Sequence, residues 1–233
     1  MKMPIALMSA LLAAWIPASA QSPARDVLYQ LSTYSALKAG VYDGLQRYGD
    51  VKKHGDFGIG AFDAMDGEMI LLDGTVYRVA ADGKVAAVED SALSSYCTVT
   101  FFDADRNATL ANAVDYAYLK SYLDTAVPTN LICAVRITGT FAHVKTRSVP
   151  AQAKPYPPLD EVIKQQSVFE FTNVTGTAVG FRFPSFMEGV QVAGYHLHFL
   201  TADKTGGGHL LDFKTEKVEI GIDDTPEFRM VLP

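Results

Sequence analysis

"GYHLHFLTADKTGGGHLLDF", residues 194–213, gathers three of the chain's five histidines within fourteen positions. In an extended strand successive side chains point to opposite faces, so His196 and His198 share a face while Leu197 points the other way. A chain reversal centred on Asp203-Lys204 lays His209 across from His198. Directly opposed residues on paired strands hold their Cβ atoms about 4.5–5.5 Å apart, within reach of one ion. Three imidazoles on one sheet face form a facial set for a divalent metal with positions left open, the mark of a catalytic rather than a structural site. Zinc, manganese, iron, nickel or copper suits such a set, with zinc first on softness. His54, in polar "VKKHGD", and His143, in "FAHVKT", have no histidine neighbour and are read as non-ligands.

The same hairpin reading extends outward. Strands are expected at "VLYQLS" (27–32), "DFGIGAF" (56–62), "EMILLD" (68–73), "TVYRVA" (75–80), "KVAAV" (84–88), "TVTFFD" (98–103) and from "LICAVRIT" (131–138) onward. Turn signals separate them at Asp66-Gly67, Asp73-Gly74, Asp82-Gly83 and Gly206-Gly207-Gly208. Two segments have helical spacing. "SALKAGVYDGLQRY" (35–48) spaces Leu37, Val41, Tyr42 and Leu45. "TLANAVDYAYLKSYLDTA" (109–126) carries a stripe of Leu110, Val114, Ala117, Tyr118 and Tyr122, with Thr109 as cap. The four prolines of "SVPAQAKPYPPLDEVIKQQ" (148–166) predict an extended surface connection. The expected fold class is α+β: two similar β-α-β(n) units forming mixed or antiparallel sheets, with the metal site on a β-hairpin of the second. The units are expected over 21–95 and 96–233, in one compact catalytic protein with a seam near residues 90–97. A faint likeness between "GIGAFDAMDGEMILLD" (58–73) and "HLHFLTADKTGGGHLLD" (196–212) supports the duplication.

Residues 1–20, "MKMPIALMSALLAAWIPASA", have a lysine near the start, an apolar stretch and a small-x-small ending at Ala18-Ser19-Ala20. This is the pattern of a secretory signal peptide, too short and wrongly flanked for a membrane span. Cleavage after Ala20 would leave a mature chain starting at Gln21, periplasmic or secreted, with 19 basic and 26 acidic residues and a net charge of −7. An acidic exported protein without a basic cluster argues against nucleic acid or an anionic membrane as partner. In an oxidising compartment Cys97 and Cys133 are either a disulfide or two buried thiols, and sequence does not choose.

A histidine trio is common to many enzymes, so the neighbours decide. The cupin pattern also opens on His-x-His but places a glutamate three or four residues later, where this chain has Thr201 and Ala202. Three blocks instead resemble the bacterial α-acetolactate decarboxylase family: "GDFGIGAFDAMDGEMILLDGTVYRV" (55–79), "RSVPAQAKPYPPL" (147–159) and the 194–213 hairpin. They occur in order, and the likeness covers essentially the whole mature chain. The resemblance implies a zinc enzyme, usually a homodimer, that converts 2-acetolactate to acetoin and carbon dioxide. Its zinc ligands would be His196, His198 and His209, and its polar catalytic residues Glu68 and Arg147. The residue types suit the chemistry. A metal chelated by the substrate's hydroxyl and carbonyl oxygens stabilises the enediolate left by carbon dioxide. Arg147 can hold the carboxylate through its fixed donors, and Glu68 can manage the proton that returns to carbon. Two departures stand out. Family members often carry threonine at the position of Ala61, and they tend to continue into an acidic tail. Here the sequence stops at Pro233, and its last acid is Glu227. The alternatives are another metal-dependent lyase or oxygenase of the periplasm, and a periplasmic zinc-binding protein without turnover.

Overall fold

Alternation along the strands decides which side chains meet. The computed structural model describes residues 25–233, so the leader expected at 1–20 lies outside the described residues. The first sheet contains β1 (Val27–Leu31), β2 (Gln46–Arg47), β3 (Phe57–Phe62), β4 (Glu68–Leu72), β5 (Thr75–Val79), β6 (Val85–Ala87) and β7 (Leu93–Thr100). The last strand, β13 (Glu227–Val231), returns to pair with β1 in parallel, giving the order β13-β1-β7-β3-β4-β5-β6 with β2 alongside β7. The second sheet contains β8 (Arg106–Leu110), β9 (Cys133–Ser148), β10 (Ser167–Phe183), β11 (Gly194–Thr201) and β12 (Gly207–Asp224). Its order is β11-β10-β9-β12-β8, and β11 also pairs with β12, so four strands close into a ring. This is the α+β architecture of two mostly antiparallel sheets that the hairpin pattern predicts. The expected seam, near residues 90–97, overlaps the start of β7, a central strand of the first sheet.

Odd and even residues of each strand serve different layers. From the first sheet, Leu28, Phe57, Ile59, Ile70 and Leu72 pack onto Ala134, Val179, Phe181, Phe183 and Leu200 of the second. The alternate residues Tyr29, Leu31, Met69, Leu71 and Val99 pack on the opposite face with Tyr48 and Val51. In the second sheet, Leu197, Phe199 and Phe213 turn into an apolar cluster with Leu119 and Leu123. Truncating one such buried phenylalanine to alanine costs about 3–5 kcal/mol. Glu68 shares the parity of Ile70 and Leu72, and His196 and His198 share that of Leu200. All therefore project into the layer between the sheets.

The helices differ from the expected spans. Only Tyr34–Lys38 (α1) and Tyr48–Val51 (α2) are helical in the first segment. Gly40 breaks it with a φ of 87°, and Gln46–Arg47 join the sheet instead. In the second, Thr109 pairs with Glu219 as part of β8, so it caps nothing. The helix is Tyr116–Ala126 (α3), capped by Asp115, whose side chain accepts from the Tyr118 backbone N–H. Its buried residues are Leu119 and Leu123, whereas Tyr118 is exposed. The expected stripe started in a strand and ran one residue out of register. The proline-rich segment is not a mere surface connection either. Val149, Leu159 and Val162 are buried, the latter two on the short helix α4 (Leu159–Ile163). Cys97 on β7 and Cys133 on β9 are free and buried in separate clusters. Burial pushes both thiols up to about 12, far from the reactive range.

Candidate active site

Strand pairing assembles the site. His198 lies opposite His209 across the β11–β12 seam, and His209 lies opposite Arg147 of β9 on its other side. The glycines before His209 make this possible. A side chain at Gly207 would sit 2.4 Å from the Phe199 carbonyl oxygen. One at Gly208, whose φ is 129°, would sit 2.4 Å from that of Arg147. The run of small residues lets β12 leave its turn flush against both neighbours. The turn is closed by Asp203, which accepts from the Thr201 hydroxyl and the Thr205 backbone N–H.

The three rings converge, with centroids 5.1–5.4 Å apart, and their candidate ligand nitrogens lie within 4.8 Å of one another. Nδ1 of His198 is 2.8 Å from the Met69 backbone carbonyl oxygen. With its proton there, Nε2 becomes the free lone pair, the arrangement by which an outer partner orients a metal-ligating histidine. Nε2 of His198 and Nδ1 of His196 are buried and have no hydrogen-bond partner. Burial and Arg147 push His196 down to about 4. Burial likewise holds His198 well below the usual range, with His196 next in effect, and His209, with Arg147 next. Neutral imidazoles with orphaned buried nitrogens are what a divalent ion requires, so these residues fit one.

The two hairpins that resemble each other in sequence face one another, β4 contacting both β11 and β12. This brings Glu68 to the trio, with Oε2 3.5 Å from His198 Nε2. Glu68 is 6% exposed, and burial pushes its carboxyl up to about 7 against the opposing pull of Arg147. The link between Glu68 and Arg147 runs through Ser148, whose hydroxyl donates to the Val79 carbonyl, and Val79 is the strand partner of Glu68. The Arg147 guanidinium has no hydrogen-bond or ion-pair partner among the described residues, which leaves its donors for a ligand.

All five sequence-predicted residues line one cavity of about 150 Å³. Ala61 lines it too, as the strand partner of Glu68. Glu227 does not; it sits on edge strand β13 beside Val27. His54 stacks on Tyr29, with centroids 4.0 Å apart, and His143 lies 3.5 Å from Glu170, both away from the cavity. Sequence reasoning missed the apolar wall, to which Tyr34, Leu37, Met65, Tyr96, Leu159 and Val192 contribute. Apart from Tyr96 on β7, these come from short helices and loops without periodicity. The one available signal was Gln30, a polar residue inside the apolar run "VLYQL".

A small cavity with an apolar wall, convergent charged groups and three histidines able to hold a metal defines a small-molecule enzyme. The profile of the alpha-acetolactate decarboxylase family matches residues 28–233, and the chain belongs to that family. It is thus a carboxy-lyase. It is 48% identical over 211 residues to the alpha-acetolactate decarboxylase of Methanosarcina mazei, spanning 90% of this chain and 73% of the relative. With that of Methylococcus capsulatus it shares 45% over 207 residues, 88% and 80% of the two chains. The crystal structure of alpha-acetolactate decarboxylase from Bacillus subtilis strain 168 superposes with a TM-score of 0.87 at 39% identity, covering 89% of each chain.

Proposed function

We propose that the protein converts 2-acetolactate to acetoin and carbon dioxide with a zinc ion held by His196, His198 and His209. The observation that carries this reading is the pair of orphaned buried nitrogens, on His196 and His198, in a cavity shared with Glu68 and Arg147. In the reaction the bond from carbon to the carboxylate breaks, carbon dioxide leaves, and a proton takes its place on carbon. A bound zinc ion supplies a Lewis acid for the electron pair that remains. Arg147 binds the carboxylate through two parallel N–H donors and orients it for departure. The apolar wall excludes water and receives the methyl groups. Glu68, held in a dry site where its proton is weakly acidic, carries the proton to one face of the carbon.

Glu68→Gln keeps the shape of the side chain and removes the exchangeable proton. It is expected to retain the metal, to lower turnover by about 10²–10⁴-fold, and to relax the enantiomeric purity of the acetoin. Chiral chromatography of the product, with metal analysis of the same sample, checks this. Unchanged purity and rate remove Glu68 from proton delivery, and lost metal makes it a ligand.

We further propose that the protein is exported and acts as a homodimer. The leader pattern of residues 1–20 supports export. The family likeness supports a dimer, as does the exposed apolar edge at Phe228, Val231 and Leu232. Intact mass and sedimentation of protein from the extracytoplasmic fraction test both. A retained Met1 overturns export, and a monomer overturns the dimer.

A further inference from the structure

A buried run of hydrogen bonds adjoins the cavity without belonging to the groups assigned above. The Tyr96 ring lines the cavity, and its hydroxyl donates to Gln191 Oε1 at 2.6 Å. Gln191 Nε2 donates in turn to Gln30 Oε1 at 2.8 Å and to Thr98 Oγ1 at 2.5 Å. Gln30 Nε2 donates to the carbonyls of Ser32 and Val190, each at 2.8 Å. None of the four side chains is more than 1% exposed. Polar groups this deep are costly unless each is satisfied, and here both amides use both ends. Apolar side chains of similar volume would hold these strands together without that risk, so the network is best explained by the geometry it fixes.

That geometry is the cavity wall. Gln30 lies on β1, and Tyr96 and Thr98 lie on β7. Val190 and Gln191 lie in the segment that supplies Val192 to the wall and leads into β11 with His196. The same segment holds α1 in place. The backbone N–H groups of Tyr34 and Ser35 donate to the carbonyls of Val190 and Gly189, and α1 contributes Tyr34 and Leu37 to the wall. One network therefore sets the spacing of three wall elements: the Tyr96 ring, Val192 and α1.

We propose that Tyr96 is a positioning residue: through its bond to Gln191 it fixes the wall against which the substrate's alkyl substituent packs, and so sets the size of substituent accepted. This rests on the acetolactate reading of the site. The wall touches groups that do not change during the reaction, so it contributes equally to ground and transition states. Its loosening then appears in KM rather than in kcat. A fixed apolar pocket discriminates one methylene by roughly 10–200-fold, and a loosened one by less.

The test compares wild-type protein with Tyr96→Phe, Gln191→Met and the double variant. Each is assayed on 2-acetolactate and on its homologue with ethyl in place of the methyl at C2. Both single variants are expected to keep the metal, to raise KM for 2-acetolactate several-fold with kcat little changed, and to reduce the methyl-over-ethyl preference in kcat/KM at least about fivefold. The double variant should be little worse than Gln191→Met alone, because that substitution already removes the bond that Tyr96→Phe breaks. A network that only stabilises the fold would lower the melting temperature and leave preference and KM untouched; that result overturns the proposal. So does a wild-type enzyme with no preference between the two substrates. Wild-type protein that forms no acetoin overturns the decarboxylase reading, and this proposal with it. Active wild-type protein with unmoved variants overturns this proposal alone.

Discussion

His198→Ala is expected to give a folded protein that retains no stoichiometric metal and turns over at background. His198 is the trio's best-anchored member. It is 1% exposed, its Nδ1 is bound at Met69, and its Nε2 has no hydrogen-bond partner, with the Glu68 carboxyl 3.5 Å away. Losing an outer partner of a ligand typically weakens metal binding about 10–100-fold, and losing the ligand itself should cost more. Two imidazoles remain, too few for the facial set on which the proposed chemistry depends. His54→Ala is the control. That ring stacks on Tyr29 outside the cavity, so metal content and turnover should both stay at wild-type level. Elemental analysis and turnover on the same two preparations decide the matter. Equal metal retention in both variants would refute the trio as the site.

Arg147→Lys should keep the fold and the metal yet lose about 10²–10³-fold in turnover, the usual cost of removing one charge-stabilising donor from a water-poor site. The charge survives the substitution, but the planar pair of donors does not, and an ammonium cannot hold a carboxylate in a fixed plane. The backbone of Arg147 is secured independently of its side chain. β9 pairs with both β10 and β12 at this point, and the flanking Thr146 and Ser148 hydroxyls donate to the carbonyls of Gly207 and Val79. A small change in melting temperature beside a large loss of kcat/KM is therefore the expected pattern. Near-wild-type turnover would remove Arg147 from substrate binding.

The site was legible where side-chain periodicity carried the information. The parity of His196 and His198 and the pairing of His209 with His198 follow from strand alternation and a turn at Asp203-Lys204, and the register agrees. Glu68 and Arg147 were not legible in that way. They stand 79 residues apart in sequence and meet only because β4 of one sheet faces β12 of the other, and β12 pairs with β9 at Arg147. Only the likeness to the family's sequence blocks marked them. The helices were read too long because helical spacing in "TLANAVDYAYLKSYLDTA" coincides with residues that tertiary pairing claims for β8. Likewise Gly40 ends α1 despite apolar residues that continue the period beyond it. The cavity wall was invisible for a further reason. Its members come from five separate segments, and the network behind it joins residues 161 positions apart.

The most direct test of the whole account follows acetoin formation from racemic 2-acetolactate by the purified protein as isolated, after chelation, and after zinc is restored. The account predicts acetoin with release of carbon dioxide, loss of activity on chelation, and its recovery with about one zinc per chain. Metal-loaded protein that forms no acetoin, or activity that chelation leaves intact while the metal is removed, would contradict it.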